Sequence, residues 1–463
     1  MNSMKTPTKS GILGSTEKYV LLLSVLVSFL VSYISSSINI ALPQIAQEFA
    51  LNSIFLGWIP TVYLLFTGIF LIPFGKIADI YGKKKVIAYG VIIFTVASFI
   101  SALAPNGDIL LGSRILQALG GSMIFGNVYS LIASVFPGKS KAWALSFTVA
   151  TAYIGLSIGP VLGGFLTGFF GWRSIFFFSI PFDLAAILAV LKLKGEWAEA
   201  EQDTFSISST LIFAFALIGI IYGFTEITSN LGIIAFIGGS IGAVLFVWLQ
   251  KKVENPLIHP DLLFDRVYIL NNLTSLVNYG PGIFTIFLLT LYLQNIRGLS
   301  PGEAGLLLCV QSIFIAIFSL SVGKLMESMR PRHIAALGMA LTAVGLTLFL
   351  FLGENTSFLL IVVALAVLGS GYGLSATSST QIAVEYVGHK FLGVSSATLN
   401  TMRVVGQMMG MGVTLAVLNI FIGQASINSG NYALFVEGSK IPFLIFAILC
   451  YISIYGYFIM RKN

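Results

Sequence analysis

The chain is short of charge. Asp, Glu, Lys and Arg make up 9% of its 463 residues, against about 25% in a soluble domain. With 57% hydrophobic residues beside so little charge, a soluble globular protein is excluded. Cysteine is nearly absent, and Cys309 and Cys450 stand in separate apolar stretches. They read as inert small apolar residues, with neither a disulfide framework nor metal-ligand spacing. The three histidines, His259, His333 and His389, fall in expected loops. No intramembrane imidazole relay, metal site or cofactor is therefore expected. HExxH, a nucleophile elbow, a phosphate-binding loop and a sizeable soluble domain are also missing. These absences disfavour a membrane-embedded enzyme or receptor and argue against ATP as a direct energy source.

What the chain has in quantity is long apolar runs. A spanning helix needs about 20 mostly apolar residues. Such runs occupy 19–42, 56–75, 84–104, 110–136, 142–169, 173–193, 207–226, 231–250, 268–295, 303–323, 333–352, 356–384, 391–422 and 441–460. They predict an all-α polytopic membrane protein with fourteen transmembrane helices, in contact with the lipid bilayer. The polar start with Lys5, Lys9 and Lys18 imitates a signal peptide. The first apolar run is too long for one, and reads as the first membrane helix.

The net charge of +7 does not point to nucleic acid, because the basic residues sit in short loops. Lys76, Lys83, Lys84, Lys85, Lys141, Lys192, Lys194, Lys251, Lys252, Lys324, Arg330 and Arg332 fall on the side of the termini, while Arg173, Arg297 and Lys440 fall opposite. By the positive-inside rule both termini are expected to be cytoplasmic, in a cell membrane. Trp58, Trp143, Trp172 and Trp248 lie near expected span ends and fit an interfacial aromatic belt.

The loop after the second run reads Gly75-Lys-Ile-Ala-Asp79-Ile-Tyr-Gly82-Lys83, and the loop after the tenth reads Gly323-Lys-Leu-Met-Glu327. The glycine, lysine and acid recur at the same place in two six-helix sets. This suggests a duplication with two bundles and an inserted hairpin, divided as 1–194, 195–266 and 267–463. Gly75 and Gly82 suit a tight turn, with Asp79 able to pair with Lys83.

The fifth run contains Gly155-Leu-Ser-Ile-Gly159-Pro160-Val-Leu-Gly163-Gly164. Glycines at four-residue spacing let another backbone approach closely, and proline favours a kink. Plain tight packing and a sliding seam both fit that pattern. Two further segments are distinctive: Arg114-Ile-Leu-Gln117-Ala-Leu-Gly120-Gly121 in the fourth run and Gly171-Trp172-Arg173-Ser-Ile-Phe176 after the fifth.

Together these segments resemble the major facilitator superfamily, specifically its fourteen-helix drug/proton antiporter branch. The fifth-run segment resembles that branch's antiporter motif. Gly75 to Lys85 resembles the superfamily's G-x-L-A-D-R-x-G-R-K signature, with Ile80 in place of the arginine. The resemblance implies a major facilitator fold of two six-helix bundles plus a two-helix insert, with a lock between bundles formed around Gly75, Asp79, Gly82 and Lys83. It also implies a proton-coupling role for Arg114. The first run ends in Asn39 and Pro43 like the family, but Ile34 stands where the family commonly has an aspartate.

A proton therefore needs another site. Asp183 is the clearest acid well within a run, and Glu226 is a second candidate at the end of the seventh. A carboxylate there is costly while charged, so it is a candidate to exchange a proton. By analogy with the fold, the first, fourth, ninth and twelfth helices line a substrate cavity. They offer Asn39, Gln117, Asn127, Tyr129, Asn271, Asn278, Tyr279, Tyr372, Ser375 and Gln381, joined by Arg403 in the thirteenth. Interhelical hydrogen bonding is the alternative role for many of them.

The expected function is secondary export of small amphipathic compounds by proton antiport with alternating access, in a protein acting as a monomer. A facilitator or importer of a specific metabolite is the alternative. Two intramembrane arginines and no first-helix acid favour neutral or anionic substrates over strongly cationic ones.

Overall fold

A computed structural model describes residues 14–198, 205–227, 229–253, 265–387, 392–423 and 425–460. Lys5, Lys9, His259 and His389 lie outside them. Fourteen helices are long and apolar enough to cross a membrane. In chain order they are α1 Ser15–Phe49, α2 Ser53–Tyr81, α3 Lys83–Ala102, α4 Gly107–Val135, α5 Gly138–Phe170, α6 Ser174–Lys192 and α7 Ile207–Thr225. There follow α8 Asn230–Gln250, α9 Arg266–Ile296, α10 Pro301–Leu325, α11 Pro331–Phe351, α12 Phe358–Val387, α13 Leu392–Phe421 and α14 Tyr432–Ile459.

Local chemistry sets where the helices start. Asn52 accepts from the Phe55 N–H, Asn106 from Ile109, and Asp265 from Tyr268, each at 2.8–2.9 Å. Such caps satisfy donors that the first turn leaves free. Ser300 and Glu303 form a reciprocal capping box ahead of Pro301. Gly82 holds φ +109° between α2 and α3, a conformation a side chain would strain.

Helices α1–α6 pack on one another as one bundle and α9–α14 as a second. The halves meet along two pairs, α5 with α10 and α2 with α13. Helices α7 and α8 form a hairpin lying against α2 and α13. Phe213, Leu217 and Ile221 of α7 join Leu64, Ile69 and Ile72 of α2 and Val404 and Met408 of α13 in one apolar cluster. In lipid, apolar side chains gain little by leaving one apolar medium for another, so close backbone approach decides adhesion. The hairpin illustrates this: a Cβ placed on Gly219 would sit 2.7 Å from the Gly239 Cα.

Three expectations need correction. The last helix begins at Tyr432, not 441, so Lys440 lies inside it and bonds Glu437 one turn earlier. Gly75 sits within α2 with open space around it, so the turn rests on Gly82 alone. Trp172 is no belt residue, for it is 1% exposed and donates from Nε1 to Glu48 at 2.6 Å.

Candidate functional site

The glycine helix has two working faces rather than one seam. Gly155, Gly159 and Gly163, at four-residue spacing, face α1 within the same half. A Cβ on Gly155 would lie 2.6 Å from the Phe29 carbonyl oxygen, and one on Gly163 would lie 2.7 Å from the Ser37 Cβ. Ser36 Oγ bonds back to the Gly155 carbonyl at 3.4 Å. Gly164 instead faces the other half, where a Cβ would lie 2.4 Å from the Pro301 carbonyl oxygen. One turn below, the Pro160 carbonyl oxygen would lie 2.2 Å from a Cβ on Gly305. Gly164 and Pro160 therefore carry the contact with α10, and the other three glycines fix α5 to α1.

Further contacts join the halves toward the end of the molecule opposite the termini. Gln294, in a π-helical turn of α9, donates to the Ile40 carbonyl at 2.8 Å, and Ser53 Oγ donates to Ala425 at 3.3 Å. Nearer the middle, Ser312 Oγ donates to Leu156 at 3.4 Å. π-helical turns recur at functional positions.

Arg114 is fully buried in α4. Its guanidinium lies 4.4 Å from the Tyr63 ring centre and donates to Gln117, which donates to Ser98 at 2.8 Å. Gly121 leaves room for this arrangement, since a Cβ there would approach the Tyr63 hydroxyl to 2.9 Å. Arg114 Nε and the Tyr63 hydroxyl have no partner among the described residues. The network ties α2, α3 and α4 together inside one half, and Gln117 is fully buried within it.

Arg403 has a different setting. It is half-buried near the middle of α13, with its guanidinium 5.3 Å from the Tyr279 ring centre on α9. Tyr153 of α5, Tyr372 of α12 and Tyr129 of α4 lie in its neighbourhood. Tyr279 and Tyr372 meet edge-to-face at 5.3 Å, and the Tyr372 hydroxyl donates to the Tyr279 carbonyl at 3.0 Å. Two glycines set this up. A Cβ on Gly406 or Gly410 would come within 2.2 Å of the Leu276 or Gly280 carbonyl oxygen, so α13 rests directly on the α9 backbone and Arg403 reaches over Tyr279. The cluster draws on both halves.

Asp183 is buried in α6 and accepts from Ser179 Oγ at 3.2 Å. Helix α6 packs against α1, α3 and α5, all in its own half. Arg114 and Asp183 thus have separate partners. Glu226 caps the end of α7, outside the helix body. Of the remaining polar candidates, several brace helices. Asn127 donates to Phe74 and Met123, Asn271 to Ser379, and Asn39 to Ser35. Asn278 accepts from Thr342. Ser375 is buried where Gly338 of α11 lets the backbones touch. Gln381 is half-buried toward the end of α12. At the α2–α3 turn, Lys83 is fully buried, donates to Ser134 at 2.9 Å and lies 3.8 Å from Asp79. Glu196 accepts from the Lys84 N–H at 2.8 Å, pinning the segment after α6 onto the start of α3.

Sequence reasoning missed Tyr63, Tyr153 and Gln294. An aromatic residue in an apolar run does not reveal which face it occupies. Tyr153 did carry one signal, its place two residues ahead of Gly155 in the glycine-rich segment.

The family model described as Major Facilitator Superfamily matches residues 24–258 and 272–463. The multidrug resistance protein Stp of Mycobacterium tuberculosis is 31% identical over 387 residues, covering 82% of this chain and 72% of its own. The riboflavin transporter RibZ of Clostridioides difficile is 27% identical over 454 residues, covering 96% of this chain and 98% of its own. Among solved structures, a peptide transporter in complex with alafosfalin aligns with a TM-score of 0.69 at 13% identity, covering 98% of both chains. That likeness concerns the fold alone.

Proposed function

Since the chain belongs to the Major Facilitator Superfamily, as a multi-pass membrane transporter rather than an enzyme, we propose that it exports small amphipathic compounds by proton antiport. Transport would proceed by alternating access, with the halves rocking about the α5–α10 and α2–α13 contacts. The observation that carries this reading is the bare-backbone contact of Pro160 and Gly164 with Gly305 and Pro301. Smooth surfaces of this kind can part and close without unlocking side chains. The relatedness to a multidrug resistance protein over 82% of the chain supports export.

In this reading Asp183 carries the exchanged proton, because it is the one acid deep in a span among the described residues, and its single hydroxyl partner compensates a charge poorly. Arg114 supports the coupling half as a buried cation without a carboxylate partner. Both termini lie in the cytoplasm, following the basic loops. A second reading, a facilitator of one metabolite, is favoured by the relative named as a riboflavin transporter.

Proteoliposomes loaded with riboflavin or carboxyfluorescein decide between them. Solute movement should accelerate under an imposed pH gradient with wild type and lose that response in Asp183→Asn. Movement indifferent to the gradient refutes antiport. Full coupling in Asp183→Asn refutes the proton-site assignment alone.

A further inference from the structure

We propose that Arg403 is the anion-recognising group of the substrate site, and that it receives the carboxylate of an amphipathic aromatic compound beside the rings of Tyr279 and Tyr372. The inference rests on the transporter reading for its biological meaning and on the geometry for its chemistry.

Position comes first. Arg403, Tyr279, Tyr372 and Tyr153 each lie near the middle of their helices, and those helices come from both halves. Tyr129 and Tyr153 of the first half and Tyr279 and Tyr372 of the second lie around Arg403, so it faces the other half rather than lipid, and it is not fully buried. Arg114 offers the contrast, being fully buried and engaged by Gln117 and Tyr63.

Charge comes second. Among the described residues no carboxylate pairs with Arg403, and the ionisable side chains around it are tyrosines. The deep acid, Asp183, sits on α6, which packs only within the first half. Compare Arg173, whose carboxylate partner Glu48 lies at 2.6 Å. A cation at mid-membrane without a carboxylate partner is costly, and a bound anion would offset that cost. A cationic compound would meet like charge without a counter-ion.

Shape comes third. A guanidinium presents a planar fork of donors that matches a carboxylate through two parallel hydrogen bonds. The guanidinium carbon lies 5.3 Å from the Tyr279 ring centre, within cation–π range. The Tyr279–Tyr372 edge-to-face pair supplies aromatic surface for a ring attached to the carboxylate. The Tyr372 hydroxyl donates to the Tyr279 carbonyl, which fixes the two rings relative to each other.

The test is a charge series at constant shape. Purified protein is titrated by calorimetry with 2-naphthoate, 2-naphthamide and 2-naphthylmethylammonium. Wild type should bind the carboxylate at least tenfold more tightly than the amide, and the ammonium most weakly. Arg403→Gln should remove the carboxylate preference while holding amide affinity within about twofold. Arg403→Lys keeps the charge but loses the fork, and should retain an intermediate preference; it also serves if the glutamine variant fails to fold. A wild type without carboxylate preference overturns the proposal, as does a preference that survives undiminished in Arg403→Gln or, should that variant not fold, in Arg403→Lys. Should vesicles show no transport while the naphthoate preference still follows Arg403, the exporter reading falls and this one stands.

Discussion

Replacing Gly164 by alanine should loosen the halves at the end opposite the termini without damaging either bundle. The added Cβ would lie 2.4 Å from the Pro301 carbonyl oxygen, 3.0 Å from its carbon and 3.1 Å from the Gly302 Cα. All three are backbone atoms of α10, so no side-chain rotation relieves the clash. Restoring ordinary contact needs the helices to part by about 1 Å. Overpacking of this kind costs about 1–3 kcal/mol. Since the strain exists only while α5 and α10 are closed on each other, the whole of it biases the equilibrium toward separation, a shift of roughly 5- to 150-fold. Gly155→Ala is the matched control, with a Cβ 2.6 Å from the Phe29 carbonyl oxygen inside one bundle. Its strain is present however the halves are arranged and appears as lower thermal stability. Cross-linking reads the difference: cysteines at Ser53 and Ala425, joined by a 3.3 Å hydrogen bond in the parent, are treated with a short bis-maleimide. The native Cys309 and Cys450 are both buried and are replaced by alanine. Cross-linking should slow at least fivefold in Gly164→Ala and stay near the parent rate in Gly155→Ala. Equal rates in both variants would refute the two-faced account of α5.

Two further changes test the buried network and the outer clamp. Ser98→Ala deprives Gln117 of its acceptor at 2.8 Å and should destabilise the first half by about 1–3 kcal/mol, read as a lowered unfolding temperature in detergent; an unchanged temperature would mean water replaces the hydroxyl. Glu48→Gln breaks the 2.6 Å ion pair with Arg173, whose two side chains are about one-third exposed or more, and should cost no more than about 1 kcal/mol, an effect that shrinks in high salt.

The membrane helices were legible because length and apolarity alone define a span. The errors fell where helices outrun the hydrocarbon. Glu437 and Lys440 interrupt the apolar run before 441, yet they pair one turn apart and the helix continues through them. Pro43 reads as a stop, but α1 passes it and reaches Phe49, where Gln44 and Glu48 hold Trp172 and Arg173. The proposed site was legible in its charges and not in its walls. Arg403 stands out in any apolar run, whereas Tyr153 does not, because lipid-facing and protein-facing positions are equally apolar. Glycine spacing announced close approach without naming the partner. Gly159 and Gly164 belong to one segment and serve different helices.

That division of labour bears on how a proton at Asp183 could matter to a seam it does not touch. Helix α6 meets the seam only through its neighbours. Tyr33 of α1 donates to the Ile175 carbonyl of α6 at 3.4 Å, and its own backbone lies where a Cβ on Gly155 or Gly159 would approach it to 3.2 Å. Helix α1 is thus clamped between α6 and the inner face of α5, while the outer face of α5 bears on α10. Contiguity of this sort permits coupling. What it does require is that α1 and α5 move as one body, since three glycines weld them. A charge change at Asp183 that tilts α6 would then reach α10 undiminished. If α1 and α5 slid independently, the path would end at Tyr33. The same glycines that first suggested sliding are, in this arrangement, the rigid part of the machine, and the compliant part is the short stretch of Pro160 and Gly164 against α10.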